Sequence, residues 1–440
     1  MLRIKGYLLF VCFFLALSVS VILGSMTSTL ATSKVSKLNT LNGQPPIVIG
    51  HRGGGTGYRP EHTVGNFGGD LLGSHNLGIQ FGADYIEPDL VITKDKVLIV
   101  RHEPLLATVK TDSNGNIVYD ENGKPTIQEA TTNVADFPEF ASRLTTKVLD
   151  GASVTGWFAE DFTLAEIKQL RAIERLPSIR PDNTRYNGLF EIPTLDEVIK
   201  LARKSEAKTG RKIGIYPETK HPTYFAEVGK YLDGTPIHVN TSQLLIDDLV
   251  ANNYTDPDHI FIQSFEVSNL KDLKENIMPA GGVDIPLIQL IDSSGAPYDF
   301  VYHNVPQTYA DLITPEGLTQ IHTYAAGIGP DKRLIVPASA KLDNNGQPID
   351  INGDGLISDA DKFLGKPTSL VNDAHNAGLL LHPYTFRSDA YFLSPDYHGQ
   401  PQKEYEQFIK LGIDGYFTDF ANDGYAAKQK AIGNHKKLKG

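Results

Sequence analysis

Short apolar runs recur from Pro45 onward, with helical patterns between them. PIVIGH, ADYIEPDLVIT, KVLIVRH, KIGIYPETK, HIFIQSF, IPLIQLI, GLLLHPYTF and DGYFTDF read as strands. Each is nearly continuous in apolar residues, which predicts burial on both faces. LDEVIKLARKSEAKTG, TSQLLIDDLVANN, FEVSNLKDLKENI, SLVNDAHNAG and KEYEQFIKLG read as helices. Strands that alternate with helices predict a parallel sheet, either open and doubly wound or closed into a barrel.

The polar residues favour the barrel. His51, Glu87, Asp89, His102, Glu218, Lys220, Gln263, Tyr384 and Asp419 lie toward the C-terminal ends of strand candidates. A closed barrel gathers those ends around one mouth, whereas an open sheet spreads them along an edge. The expected fold class is α/β, a (β/α)8 TIM barrel over 45–432. Two stretches break the alternation. One, about 104–190, carries the turn-rich DSNGNIVYDENGKP, which reads as a hairpin; it is expected to be a subdomain inserted after the second strand region. The other, about 341–366, is expected to be an inserted loop with a calcium-type motif.

Composition narrows the class. The chain has 440 residues, 40% hydrophobic and 21% charged, with a formal net charge of −11. That balance suits a globular protein and offers no basic field for nucleic acid. The short tail at 433–440 reads as a solvated end, and no stable protein partner is implied. At the other end, Arg3 and Lys5 precede an apolar run from Tyr7 to Gly24. This has the plan of a secretory signal over 1–31, with cleavage after Thr29-Leu30-Ala31 and a linker over 32–44. The alternative is a retained membrane anchor. Cys12 is the only cysteine and lies within that segment, so an exported mature chain has no disulfide or thiolate chemistry. The expected destination is the periplasm or the medium.

The chemistry sits at the strand ends. Glu87 and Asp89 are two apart on a strand, so both carboxylates share a face. They repel unless one is protonated or a cation neutralises them. Glu218 ends another strand, and three carboxylates without thiols suit calcium or magnesium. His51 and His102 end further strands and can divide proton transfer between them. Arg52 offers a planar fork for phosphate, and Lys220 points the same way as Glu218 and adds a second positive charge. Gly53, Gly54 and Gly55 would let backbone N–H groups approach an oxyanion. Such a kit suits phosphodiester cleavage.

HRG…PEHT, Glu87-Pro88-Asp89, His102-Glu103 and Glu218-Thr219-Lys220, in that order, resemble the glycerophosphodiester phosphodiesterase family, and its exported branch most closely. AAGIGPDK, LLLHPYTFRSD and GYFTDF extend the resemblance to about Ala431. It implies a barrel with an insertion, a metal on Glu87, Asp89 and Glu218, acid/base histidines at His51 and His102, and phosphate contacts from Arg52 and Lys220. Glu61, Gln263 and Tyr384 are expected around the pocket. The implied reaction releases sn-glycerol 3-phosphate and an alcohol from a small glycerophosphodiester. Two positions depart from many relatives: His62 in place of Asn, and Glu103 in place of Asp.

A separate motif, DINGDGLISDAD, spans Asp350 to Asp361. It matches the twelve-residue calcium loop, with Gly355 at the sharp turn. Expected ligands of a second calcium are Asp350, Asn352, Asp354, the Leu356 carbonyl and Asp361. Two other functions fit less well: a phospholipase C or D acting on intact lipid, and a non-catalytic calcium-dependent surface-binding protein.

Overall fold

The structure is a computed structural model that describes residues 38–65 and 69–437. The leader expected over 1–31 and the start of the linker lie outside the described residues. Among the described residues, no helix is long and apolar enough to cross a membrane.

Eight parallel strands close on themselves. They are β1 (Ile47–Gly50), β2 (Tyr85–Ile86, resuming at Asp89–Ile92), β3 (Gly214–Ile215, resuming at Glu218–Thr219), β4 (Ile262–Ser264), β5 (Leu287–Ile291), β6 (Gly327–Pro330), β7 (Leu380–Leu381) and β8 (Gly415–Thr418). Neighbours in sequence pair through most of the set. A parallel bridge between Phe386 and Thr418 joins the end of β7 to β8. The β8 register Ile47↔Gly415 through Gly50↔Thr418 on β1 completes the ring.

One expected barrel strand is not in that ring. KVLIVRH forms Leu98–Val100, which folds back antiparallel on β2. The turn is tight, with Lys96 at φ +63° and the Thr93 N–H donating to the Val97 carbonyl at 3.0 Å. The five residues from Thr93 to Val97 leave no room for the helical crossover a parallel partner needs. The place in the barrel is taken by Gly327–Pro330, from AAGIGPDK. Gly327 there lies against Leu380, where a Cβ would come within 2.6 Å of its carbonyl oxygen, so a typical branched strand residue does not fit.

The barrel interior follows the period-two rule. Ile49, Tyr85, Tyr216, Ile288 and Phe417 come from five strands and form one buried cluster. Tyr216 stacks on Phe261 at 5.1 Å and meets Phe417 edge-on at 5.0 Å. Two residues after Ile49, Tyr85, Tyr216, Phe261 and Phe417, on the same face, stand His51, Glu87, Glu218, Gln263 and Asp419. The apolar layer thus forms the floor on which the polar layer sits. The larger core fills the space between strands and helices. The amphipathic helix Leu195–Thr209 is an example: Thr194 caps its first turn and Gly210 ends it in the left-handed conformation.

After Leu98–Val100 the chain builds a four-stranded antiparallel sheet in the order Ile127–Ala130, Leu105–Val109, Ala152–Phe158, Thr145–Leu149. DSNGNIVYDENGKP forms its longest tip as two successive tight turns, bridged at Thr111↔Ile117 and Tyr119↔Pro125. Asp112 and Asp120 each accept two backbone N–H groups there, which makes both turns Asx turns.

Candidate active site

Strand register brings the acidic residues together. Glu218 is the Cα partner of Asp89 on one side and of Gln263 on the other. One oxygen each of Glu87, Asp89 and Glu218 lies within 4.8 Å of the others, all three residues being buried. Among the described residues they are the group of acids and histidines that converges in this way. Burial and the neighbouring carboxylates raise Glu87 well above the usual range. Burial, opposed by Lys220, pushes Glu218 up to about 7. Asp89 is different: burial works against its charge, but His62 holds its carboxyl well below the ordinary value, with His62 Nε2 at 2.8 Å from Oδ2. Asp89 Oδ1 is buried without a hydrogen-bond partner. A buried, partnerless oxygen beside two mutually repelling carboxyls is what a hard cation would satisfy, so the donor set fits one.

His51 and His102 flank the trio. His51 Nδ1 meets Asp419 Oδ1 at 2.5 Å, and its Nε2 lies 4.0 Å from Glu87 Oε2. Burial pulls its pKa down to about 4, against the pull of Asp419. His102 Nδ1 meets Glu103 Oε1 at 2.8 Å, and its Nε2 accepts from Lys220 Nζ at 3.2 Å. Burial, then Arg52 and Lys220, bring it to about 3. Both rings are therefore neutral near pH 7 in the ligand-free protein. Each holds its Nδ1 proton on a carboxylate and leaves Nε2 as a lone pair.

The positive groups are placed by the acids. Lys220 Nζ donates to Glu218 Oε1 at 2.8 Å, and burial notwithstanding, Glu218 and Asp89 raise its pKa. Arg52 sits in a left-handed turn at φ +49°, which directs its N–H to Glu87 Oε2 at 2.8 Å. Its Nη1 donates to Glu61 Oε2 at 2.7 Å, while Nε faces Asp89 at 3.7 Å. Gln263 Nε2 donates to Glu87 Oε1 at 2.7 Å. His51, Arg52, Glu87, His102, Glu218, Gln263 and Tyr384 all line one cavity of about 240 Å³. Glu61 stands behind Arg52, in a neighbouring cavity.

A family model described as "Glycerophosphoryl diester phosphodiesterase family" matches residues 51–423. The chain belongs to the glycerophosphoryl diester phosphodiesterase family. It is 32% identical to glycerophosphodiester phosphodiesterase GDPD6 of Arabidopsis thaliana over 380 residues, 85% of this chain and 84% of that one. It is 26% identical over 422 residues to the glycerophosphodiester phosphodiesterase of Haemophilus influenzae, 93% of this chain and 96% of that one. A crystal structure of a glycerophosphoryl diester phosphodiesterase from Silicibacter pomeroyi shares the fold, with a TM-score of 0.51 at 16% identity, covering 90% of this chain and 97% of that one.

Within this phosphodiesterase barrel the glycine run does not have the expected place. Gly54 N–H donates to the His51 carbonyl at 2.9 Å, closing a turn. A Cβ on Gly53 would lie 2.6 Å from the His75 nitrogen, and one on Gly54 2.5 Å from Gly50 Cα. Both residues have positive φ. Close packing of the turn on β1 and on the helix Ser74–Gln80 accounts for these two glycines.

Several site residues were not marked by the sequence. Arg180, from the stretch after the inserted sheet, donates to Asp419 Oδ2 at 2.6 Å and to Asp389 Oδ2 at 2.7 Å. Arg387 Nε donates to the same Asp419 oxygen at 3.0 Å. Arg180 lies in a loop between Pro177 and Pro181, with no periodicity to read. Arg387 could have been found as the first cation after a strand ending at the mouth. The expected calcium loop is folded tightly: Asp350 accepts from the Gly353 and Gly355 N–H groups, and the buried Asp361 from those of Ile351 and Ser358.

Proposed function

We propose that this phosphodiesterase uses a divalent cation, calcium or magnesium, on Glu87, Asp89 and Glu218 to hydrolyse glycerophosphodiesters such as glycerophosphocholine. The observation that carries this reading is the partnerless Asp89 Oδ1 among three buried carboxylates, set between two neutral imidazoles. When bound, the cation supplies charge stabilisation to the phosphoryl oxygens. Arg52 and Lys220 hold the same phosphate and oppose the charge that builds in the transition state. His51 Nε2, which no protein donor occupies, takes the proton of the glycerol 2-hydroxyl as that oxygen attacks phosphorus. The bound anionic diester favours an imidazolium at His102, which takes up a solvent proton on Nε2 and delivers it to the leaving alcohol, giving a cyclic phosphate. Water then opens the ring with the roles reversed, and sn-glycerol 3-phosphate is released.

Two further readings belong to the same proposal. The loop from Asp350 to Asp361 takes a second calcium on Asp350, Asn352, Asp354, the Leu356 carbonyl and Asp361. Its support is the loop sequence together with the convergence of Asp350 and Asp361 on the loop's own N–H groups. The protein is exported; the support is the signal-like run from Tyr7 to Gly24 and the absence of cysteine after Cys12.

Product analysis on glycerophosphocholine tests the reaction. Release of choline and sn-glycerol 3-phosphate with calcium or magnesium, and none with a chelator, is expected. Turnover of intact phosphatidylcholine in preference to the diester would instead favour the phospholipase.

A further inference from the structure

His102 ends a chain of hydrogen bonds that leaves the barrel. Its Nδ1 lies on Glu103 Oε1. The second oxygen of that carboxylate accepts from His221 Nε2 at 2.7 Å, and His221 Nδ1 donates to Asp150 Oδ2 at 2.7 Å. Both ring nitrogens of His221 thus face carboxylate oxygens. A neutral ring can donate only once, so the arrangement calls for an imidazolium. Burial disfavours that charge, but Glu103 and Asp150 outweigh it and push the pKa up to about 10.

Asp150 belongs to the inserted sheet. Strands Thr145–Leu149 and Ala152–Phe158 pair up to Leu149↔Ala152, which leaves Asp150-Gly151 as a two-residue turn with φ of +46° and +81°. Such hairpin turns need the left-handed conformation at both positions, and Asp-Gly supplies it. The turn delivers a carboxylate to the barrel mouth. His221 also has a positive φ, +48°, with neither glycine nor hairpin to call for it. A non-glycine residue in that region is held there by its surroundings. Here those are the two carboxylates that grip the ring at both ends.

We propose that Glu103, His221 and Asp150 are positioning residues for His102, with the inserted hairpin as their anchor. This rests on the reading of His102 as a proton-transfer group. Glu103 holds the Nδ1–H, so Nε2 stays in the cavity, where it takes up and releases the proton. The Glu103 side chain is 36% exposed and on its own would turn to solvent. His221 ties down its second oxygen, and Asp150 holds His221 from behind. The insertion thereby takes part in turnover, although none of its residues named here need touch the substrate.

Asp150→Asn and His221→Gln test this, singly and together, in the full chain on glycerophosphocholine at saturating calcium. Asn-Gly serves the same turn, so Asp150→Asn keeps the fold and loses the charge. Each single variant is expected to lower kcat about tenfold with KM within about twofold, and the double to be no slower than His221→Gln. In a His102→Ala background Asp150→Asn is expected to cause no further loss. Parental kcat in Asp150→Asn, or an equal tenfold loss on top of His102→Ala, would overturn the proposal. Parental turnover in His102→Ala alone would instead remove the reading of His102, whatever Asp150→Asn does.

Discussion

His51 Nδ1 and Asp419 Oδ1 stand 2.5 Å apart at the adjacent ends of the first and last barrel strands. Burial would raise the Asp419 carboxyl, but Arg180 and Arg387 hold it well below its ordinary range. It is therefore a charged acceptor for the Nδ1 proton at any working pH. Asp419→Asn places an amide that can donate to Nδ1 and drive the proton to Nε2, the wrong tautomer for a base. Its kcat is expected to fall on the order of 100-fold or more with KM nearly unchanged. Steady-state kinetics on glycerophosphocholine check this.

Arg180 pairs with Asp419 and Asp389, all of them largely buried. Arg180→Met removes the cation and leaves Arg387 as the remaining partner of Asp419. A loss of about 3 kcal/mol in unfolding free energy is expected, because a buried carboxylate loses its compensation. Denaturant titration measures it.

The trio of acids makes an opposite forecast for stability. Glu87→Gln relieves repulsion among buried carboxyls, so in chelator the variant is expected to melt above the parent. In the parent, a cation at about 100 times its Kd should add about 2.7 kcal/mol. That gain should be largely lost in Glu87→Gln. Thermal melts with calcium and with chelator separate the two effects.

His221 gives the stability a pH signature. Its folded pKa of about 10 lies above the ordinary histidine value of 6.5. Its contribution is therefore complete below 6.5 and lost as pH rises through about 10. The parent should exceed His221→Gln in Tm by more at about pH 6 than at about pH 11. An equal gap at both would show that the ring is not held as an imidazolium.

The loop at 350–361 predicts stoichiometry. Calorimetric titration of the parent should count two calcium ions, and Asp354→Ala one, with turnover retained. Two ions in the variant would remove the loop from the account.

Much of this was legible because barrel strands carry their chemistry in register. Ile49 and His51, Tyr85 and Glu87, Tyr216 and Glu218, and Phe417 and Asp419 are each two apart, so a buried plug and a polar head can be read from the chain. The strand at 327–330 was missed because Gly327 and Gly329 replace branched residues where neighbours pack closely. The strand at 98–100 was misplaced because its apolar run looks the same whether it pairs parallel or antiparallel; only the turn after Thr93 distinguishes them. Arg180 and Asp150 act across long sequence separations from loops, and no periodicity announces such contacts. Glu103 and His221 stand beside motif residues, but their pairing depends on a left-handed turn that the sequence does not mark.

Two imidazoles, His51 taking a proton and His102 giving one, act with three carboxylates on one phosphodiester. Single-turnover release of sn-glycerol 3-phosphate by the parent, His51→Ala and His102→Ala, each with calcium and with chelator, tests it most directly. Rapid release by the parent with calcium alone is expected, and a loss of orders of magnitude in both variants. Parental rates in His51→Ala, or release by the parent that is indifferent to the chelator, would contradict it.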